Sequence, residues 1–338
     1  MSRWTYLGKR LIMSIPVIIL GTTLTFVIVR MGPLNPVGAI LGPDANPAAY
    51  ESIEQQLGLN QPLWAQYIDF MTDLFTFDLG QSWVYSRDTG TYELLATYAP
   101  RTIWLGFWSV VIAIFIGIPL GFYAGLNPNT FSDYLASFGG IVWRAMPNFW
   151  LAVILVAVLS SSEDLLFGFE WQTFLVNTPE IVTPPDLSNL TDPTSLLQAI
   201  KKIAPAALVL GSSTMGNEVR LARTAVLETV NSNYVETAKA KGLPGRTIVW
   251  KHIFRNALIP LIPVITNEVF ILIGGSVLVE TVFAINGIGY LFFQATIQAD
   301  LPLVGSLMFI FILLIVGVNI LQDILYTIVD PRVGYDND

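Results

Sequence analysis

Six mostly apolar runs divide this chain, near 11–29, 103–124, 135–159, 203–221, 261–282 and 304–329. Each has about the 17 to 25 residues that a helix needs to cross a bilayer core. Inside lipid, a helix is the open-chain form that satisfies all of its own backbone polar groups. Hydrophobic residues make up 53% of the 338 and charged ones 12%, and a soluble protein of this length could not bury that much apolar surface. The expected fold class is therefore all-α membrane protein with six transmembrane helices. The fourth run is the least hydrophobic, with Asn217 and Glu218 near its end.

Positive charge sets the orientation, because Lys and Arg are retained on the cytoplasmic side during insertion. Arg3, Lys9 and Arg10 precede the first run, and Arg220, Arg223, Lys239, Lys241, Arg246, Lys251 and Arg255 follow the fourth. The segments after the first and third runs carry almost none. Both termini and the basic segment at 222–256 are thus expected inside the cell. The opening run is long and no clear Ala-x-Ala site follows it, so it reads as a retained anchor rather than a cleaved leader.

The outward segments are acidic. Asp44, Glu51, Glu54, Asp69, Asp73, Asp78, Asp88 and Glu93 lie in the first, and Glu163, Asp164, Glu170, Glu180, Asp186 and Asp192 in the second. They could steer cationic cargo, or they could be the surface of a halophilic organism, a halophilic archaeon for example. The halophile reading is favoured, since in about 1 M salt screening falls to about 3 Å and steering is weak. Between 32 and 100 the chain is too polar to cross, yet Trp64, Tyr67, Phe70, Met71, Leu74 and Phe75 recur every three or four residues. That spacing predicts an amphipathic helix in a small external cap. The 161–202 stretch, rich in Pro, Asp, Asn and Thr, reads as an external loop containing the sequon Asn189-Leu190-Thr191.

Within the runs, Gly117, Gly121 and Gly125 recur every fourth residue, a pattern that lets a neighbouring helix approach closely. Pro119, Pro147 and Pro263 should bend their helices. Asn267 and Glu268 fall in the fifth run, where an ionisable group is costly unless paired or wetted. Glu268 could line a path, meet a partner subunit, or pair with Arg144; periodicity leaves all three open.

The polar stretch Asn233-Tyr234-Val235-Glu236-Thr237-Ala238-Lys239-Ala240-Lys241-Gly242-Leu243-Pro244 reads as a short cationic helix stopped by Gly and Pro, suited to docking on a cytoplasmic partner. About a dozen residues later comes Arg255-Asn256-Ala257-Leu258-Ile259-Pro260. Together they resemble the coupling loop of ATP-binding cassette importer permeases, most closely the dipeptide, oligopeptide and nickel branch. Val279-Glu280-Thr281-Val282-Phe283-Ala284-Ile285-Asn286-Gly287-Ile288-Gly289 is similar to a second pattern of that branch, with Asn286 where the family has Pro. Asn suits turns, so the turn should survive. The ending Asp330-Pro331-Arg332 also matches. Where the wider superfamily has Ile-x-Leu-Pro, this chain has His252-Ile253-Phe254-Arg255, which favours the peptide and nickel branch over sugar or phosphate importers.

The resemblance implies a type I importer permease fold: an N-terminal helix over 1–31, a cap insertion over 32–100 and a core of five helices over 101–338. It implies an ATPase-coupling set of Tyr234, Glu236, Thr237, Ala238, Lys239, Ala240, Lys241, Gly242 and Leu243, and a translocation path touching Asn267, Glu268, Glu280, Asn286, Gly287 and Gly289. The implied partners are a second homologous permease completing a heterodimer, two ATPases that bind ATP and Mg, an extracellular solute-binding protein and the lipid bilayer, with no nucleic acid.

An enzyme reading has little support. Gly242-Leu243-Pro244-Gly245-Arg246-Thr247 lacks Walker A spacing, and neither His-Glu-x-x-His nor Gly-x-Ser-x-Gly occurs. With no Cys and His252 as the single His, no Cys or His metal cluster can form, and no cofactor is expected in this chain. Catalytic residues are not expected. A secondary transporter or channel is the alternative class, but it calls for inverted repeats that the sequence does not display; a membrane scaffold is more remote. Within the importer reading, peptide cargo leads over nickel or oligosaccharide.

Overall fold

The computed structural model describes residues 3–42, 46–266, 268 and 277–329. Among them the chain is helical, apart from one isolated bridge between Gln81 and Gly90. Four helices are long and apolar enough to cross a membrane: Gly8–Met31, Thr91–Leu126, Gly245–Thr266 and Leu301–Leu325. Phe131–Trp143 and Asn148–Ser160 form a further pair bent by 100° around Pro147, where the proline ring excludes a continuing helix.

The fourth expected run lies inside a helix of 38 residues, Pro193–Val230. It is longer than expected because both ends are polar but well specified. Asp192 caps the start by accepting from the Ser195 N–H at 2.8 Å, and Pro193 takes the first helical position. At about 1.5 Å per residue it extends about 57 Å, nearly twice a hydrocarbon core. Lys201, Lys202, Glu218, Arg220 and Arg223 keep it off the set of apolar spans. Part of the fifth expected run, Asn267 and residues 269–276, lies outside the described residues.

The glycine ladder lets the 91–126 helix lie directly on the 193–230 helix. A Cβ at Gly121 would come within 2.3 Å of the Val219 carbonyl oxygen, and one at Gly125 within 2.7 Å of Val226 Cβ. A π-helical turn at Ala113–Gly117 interrupts the first of these helices just before Pro119, relieving the carbonyl that the proline ring would otherwise strike. The core between them gathers Leu105, Ile203, Ala207, Leu210, Phe283 and Ile285. The first and last helices pair separately, with Gly21 against Ile312 and Arg10 bonded to Asp323 at 3.1 Å.

The amphipathic cap helix is present as Leu63–Phe75. Tyr67 and Phe70 pack on Phe26 of the first helix, Leu74 is buried and Phe75 meets Phe309, whereas Trp64 stays exposed. The second spanning helix begins at Thr91, with Pro100 inside it, so its first turns fall within the expected cap segment.

Candidate functional site

At its C-terminal end the 193–230 helix stops at Asn231, and after a turn the chain forms a two-turn helix, Asn233–Ala240. Glu236 sits in the first turn and Lys239 in the last, each at the end where the helix dipole favours its charge. Gly242 closes the helix at φ +71°, with its N–H donating to the Lys239 carbonyl at 2.9 Å, while the Leu243 N–H reaches the Ala238 carbonyl at 3.3 Å. This is the left-handed stop that glycine adopts without a Cβ penalty.

Only Val235 and Ala238, three residues apart, are buried in this helix. They join Val226, Ile248, Ile253 and Ala257 in one apolar cluster. Tyr234, Glu236, Thr237, Lys239, Ala240, Lys241, Gly242 and Leu243 are exposed. Ala238, of the expected coupling set, anchors the helix to the bundle together with its i,i+3 partner Val235. A second brace stands nearby, where Arg223 grips Asp133 of the bent pair through Nε and, at 2.8 Å, through Nη2.

The residues expected on the path separate into two places. Glu280, Asn286, Gly287 and Gly289 gather around one turn. Glu280 is fully buried, accepts from the Thr102 hydroxyl at 3.0 Å and from the Tyr290 N–H at 2.8 Å, and Thr102 in turn accepts from the Ile288 N–H at 2.7 Å. A Cβ at Gly287 would lie 2.7 Å from the Glu280 carboxylate and 2.3 Å from Thr102 Oγ1. These glycines are there because the carboxylate needs the space. Glu280 is thus a clasp inside the protein. Asn286 is half-buried, and its carbonyl accepts from Arg101 Nη1 at 3.4 Å.

Glu268 lies elsewhere. It is buried and faces Glu218 of the 193–230 helix, with the Thr214 hydroxyl on its side. Glu218 has no exposed surface, and neither of its carboxylate oxygens has a well-formed hydrogen bond among the described residues. Asn267 and the side chain of Arg144 lie outside the described residues, and so does the expected pairing of Arg144 with Glu268.

Sequence reasoning missed the acid that holds the cap. Asp300, fully buried between the last two helices, accepts from the Ser82 hydroxyl at 2.6 Å and from the N–H groups of Trp83, Val84 and Tyr85 at 3.1, 3.0 and 3.0 Å. No periodicity marks it, since its partners are 215 to 218 residues away. Lys201 does the same for the second external loop: its ammonium is buried, donates to the carbonyls of Gln172 and Val176 at 2.9 and 2.6 Å, and lies 5.5 Å from the Trp171 ring centroid.

Residues 117–335 match the model of the family described as binding-protein-dependent transport system inner membrane component, and residues 3–83 match its N-terminal companion model. Among curated relatives, the dipeptide transport system permease protein DppB of Alkalihalophilus pseudofirmus is 34% identical over 98% of this chain and 99% of its own. The oligopeptide transport system permease protein AppB of Bacillus subtilis is 32% identical with the same coverage. Among solved structures, a chain of the MetNI methionine ABC transporter in an inward-facing conformation aligns with a TM-score of 0.50 and 20% identity, over 70% of this chain and 96% of its own, a likeness of fold alone. With both family models in register along its length, this multi-pass membrane protein belongs to the inner-membrane permease components of binding-protein-dependent ABC transport systems.

Proposed function

We propose that this chain is one permease subunit of an ATP-driven peptide importer, and that it couples to its ATPases through the Asn233–Gly242 helix and turn. The carrying observation is the build of that element: a short helix at the end of a helix far longer than the membrane is thick, held by Val235 and Ala238 alone, with every charged side chain directed outward. A rigid lever with a solvated tip transmits force in this way. The names of the relatives, dipeptide and oligopeptide permeases, support peptide as the cargo over nickel.

The remaining partners follow from the same reading. A second, homologous permease completes the translocation path, two ATPases bind ATP and Mg, and an extracellular binding protein delivers the peptide; this chain holds no cofactor and performs no catalysis. The domains are then the anchor helix over 1–31, the cap over 32–100 and the core over 101–338, with six crossings and both termini cytoplasmic. The acidic exterior belongs to a halophile's surface.

Reconstituted vesicles test the coupling. Glu236→Lys reverses charge at the dipole-favoured first turn, and Gly242→Asp puts a side chain on a left-handed backbone that Asp tolerates better than most. Both variants should assemble, yet lose peptide uptake while ATP hydrolysis continues. Unchanged uptake in both would remove this helix from the coupling role. Orientation is tested in intact cells, where a Cys at Asp88 should react with an impermeant maleimide and one at Lys239 should not; the reverse pattern would invert the topology.

A further inference from the structure

A polar cavity of about 380 Å³ opens between the outer end of the first helix, the cap helices and the start of the last helix. Arg30 lines it, as do Trp83, Gln56 and Gln81, with Asp69 and Asp73 at its exposed mouth. Among the described residues, Nη1 of Arg30 is shut away from solvent and has no hydrogen-bond partner. The guanidinium lies 5.7 Å from the centroid of the Trp83 ring, a contact that engages the ring face and leaves Nη1 unspent. A guanidinium is a planar fork built for a carboxylate or a phosphate, and burying one without an anion is costly.

The acids do not supply that anion from within. Asp69 and Asp73 are one helical turn apart on the 63–75 helix, so both project to the same side. Burial, and then the neighbouring charges of Asp78 and Asp69, hold the Asp73 carboxyl above its ordinary range. A cation placed at this mouth would relieve that repulsion. One cavity therefore presents an unspent cationic donor inside and paired anionic acceptors at the rim.

We propose that this cavity binds a small zwitterion, its carboxylate or phosphate on Arg30 and its ammonium toward Asp69 and Asp73. Two sources carry that chemistry, a short peptide with free termini and an ethanolamine phospholipid headgroup. The peptide source rests on the importer reading above; the headgroup source does not.

The full chain, in nanodiscs of phosphatidylglycerol that offer no ammonium, is titrated by calorimetry with Ala-Ala, with glycerophosphoethanolamine, and with the singly charged N-acetylalanine and alaninamide. Saturable 1:1 binding of at least one zwitterion is expected, with both singly charged probes weaker by about tenfold or more. Ala-Ala alone identifies a peptide site, and glycerophosphoethanolamine alone a lipid site. Arg30→Gln and, separately, the milder Asp69→Asn with Asp73→Asn at the exposed mouth should each abolish that preference, with monodispersity and circular dichroism confirming the fold. If no zwitterion binds, if either singly charged probe binds as well as the zwitterion that binds best, or if the folded variants bind unchanged, the site does not exist as proposed. Loss of peptide uptake is not the readout, so failure here leaves the coupling assignment standing.

Discussion

The cap and the Asn233–Ala240 helix are fastened by opposite means. On the side expected to face out, buried charges do the fastening: Asp300 accepts four hydrogen bonds from the cap, Glu280 is held by Thr102 and the Tyr290 N–H, and Lys201 spends its ammonium on two loop carbonyls. On the side expected to face in, the Asn233–Ala240 helix is attached through two small apolar side chains, and its charges are left to the surroundings. A buried, fully bonded charge is rigid, because each bond lost leaves a buried donor or acceptor orphaned. An apolar contact of two side chains is weaker and not directional. The cap is thus built to keep its shape, and the Asn233–Ala240 helix is the more weakly held of the two.

Breaking the outer fastening should have the largest effect. Asp300→Ala orphans three backbone N–H groups and a hydroxyl, and should destabilise by about 4 kcal/mol. Thermal unfolding in detergent would register this, and limited proteolysis should cut the cap between 80 and 90. Asp300→Asn, which keeps an acceptor oxygen, should fall between the variant and the parent. A cap that stays resistant in Asp300→Ala would mean that the apolar contacts of Phe70 and Leu74 hold it unaided.

The inner anchor is expected to give less. Val235→Ala removes buried methyl groups at a cost of about 2 kcal/mol, but the loss should be confined to the short helix. Hydrogen exchange should rise across 233–243 while the thermal midpoint of the bundle barely moves. Exchange spreading into the 193–230 helix would show the two helices to be one cooperative unit.

Glu218 and Glu268 sharpen the contrast, being buried acids without the saturation of Asp300. Glu218→Gln removes a buried carboxylate whose oxygens lack good partners, and should raise stability by about 1 kcal/mol, where Asp300→Asn lowers it. Glu268→Gln should preserve assembly and alter uptake of cationic peptides more than of neutral ones, whereas Glu268→Leu should also release the partner permease if Glu268 pairs with it. Normal assembly with equal uptake of both cargoes in both variants would leave Glu268 neither gate nor glue. The smallest change is Lys239→Ala on the exposed face, within about 0.5 kcal/mol in stability; its effect should be confined to transport.

Much of this was legible in the order of residues. Apolar runs of membrane length, the Gly117-Gly121-Gly125 ladder, the 63–75 amphipathic helix and the Gly242 stop are local patterns, and local patterns carry their own geometry. Gly287 and Gly289 were legible as a turn, but their reason was not, since the carboxylate they make room for reaches them only in the folded chain. Asp300 and Lys201 left no trace, and Glu268 stood out without its neighbour Glu218, because a charge is satisfied or stranded by partners brought from distant sequence. That Ala238 packs on the bundle was hidden for the same cause: period alone names a helix face without saying what it meets. The sequence by itself determined that this chain crosses the membrane repeatedly and offers a short cationic helix. Tertiary structure alone decided which buried charges are bonded, since hydrogen bonds reach only about 3 Å and the chain must fold before those atoms come that close.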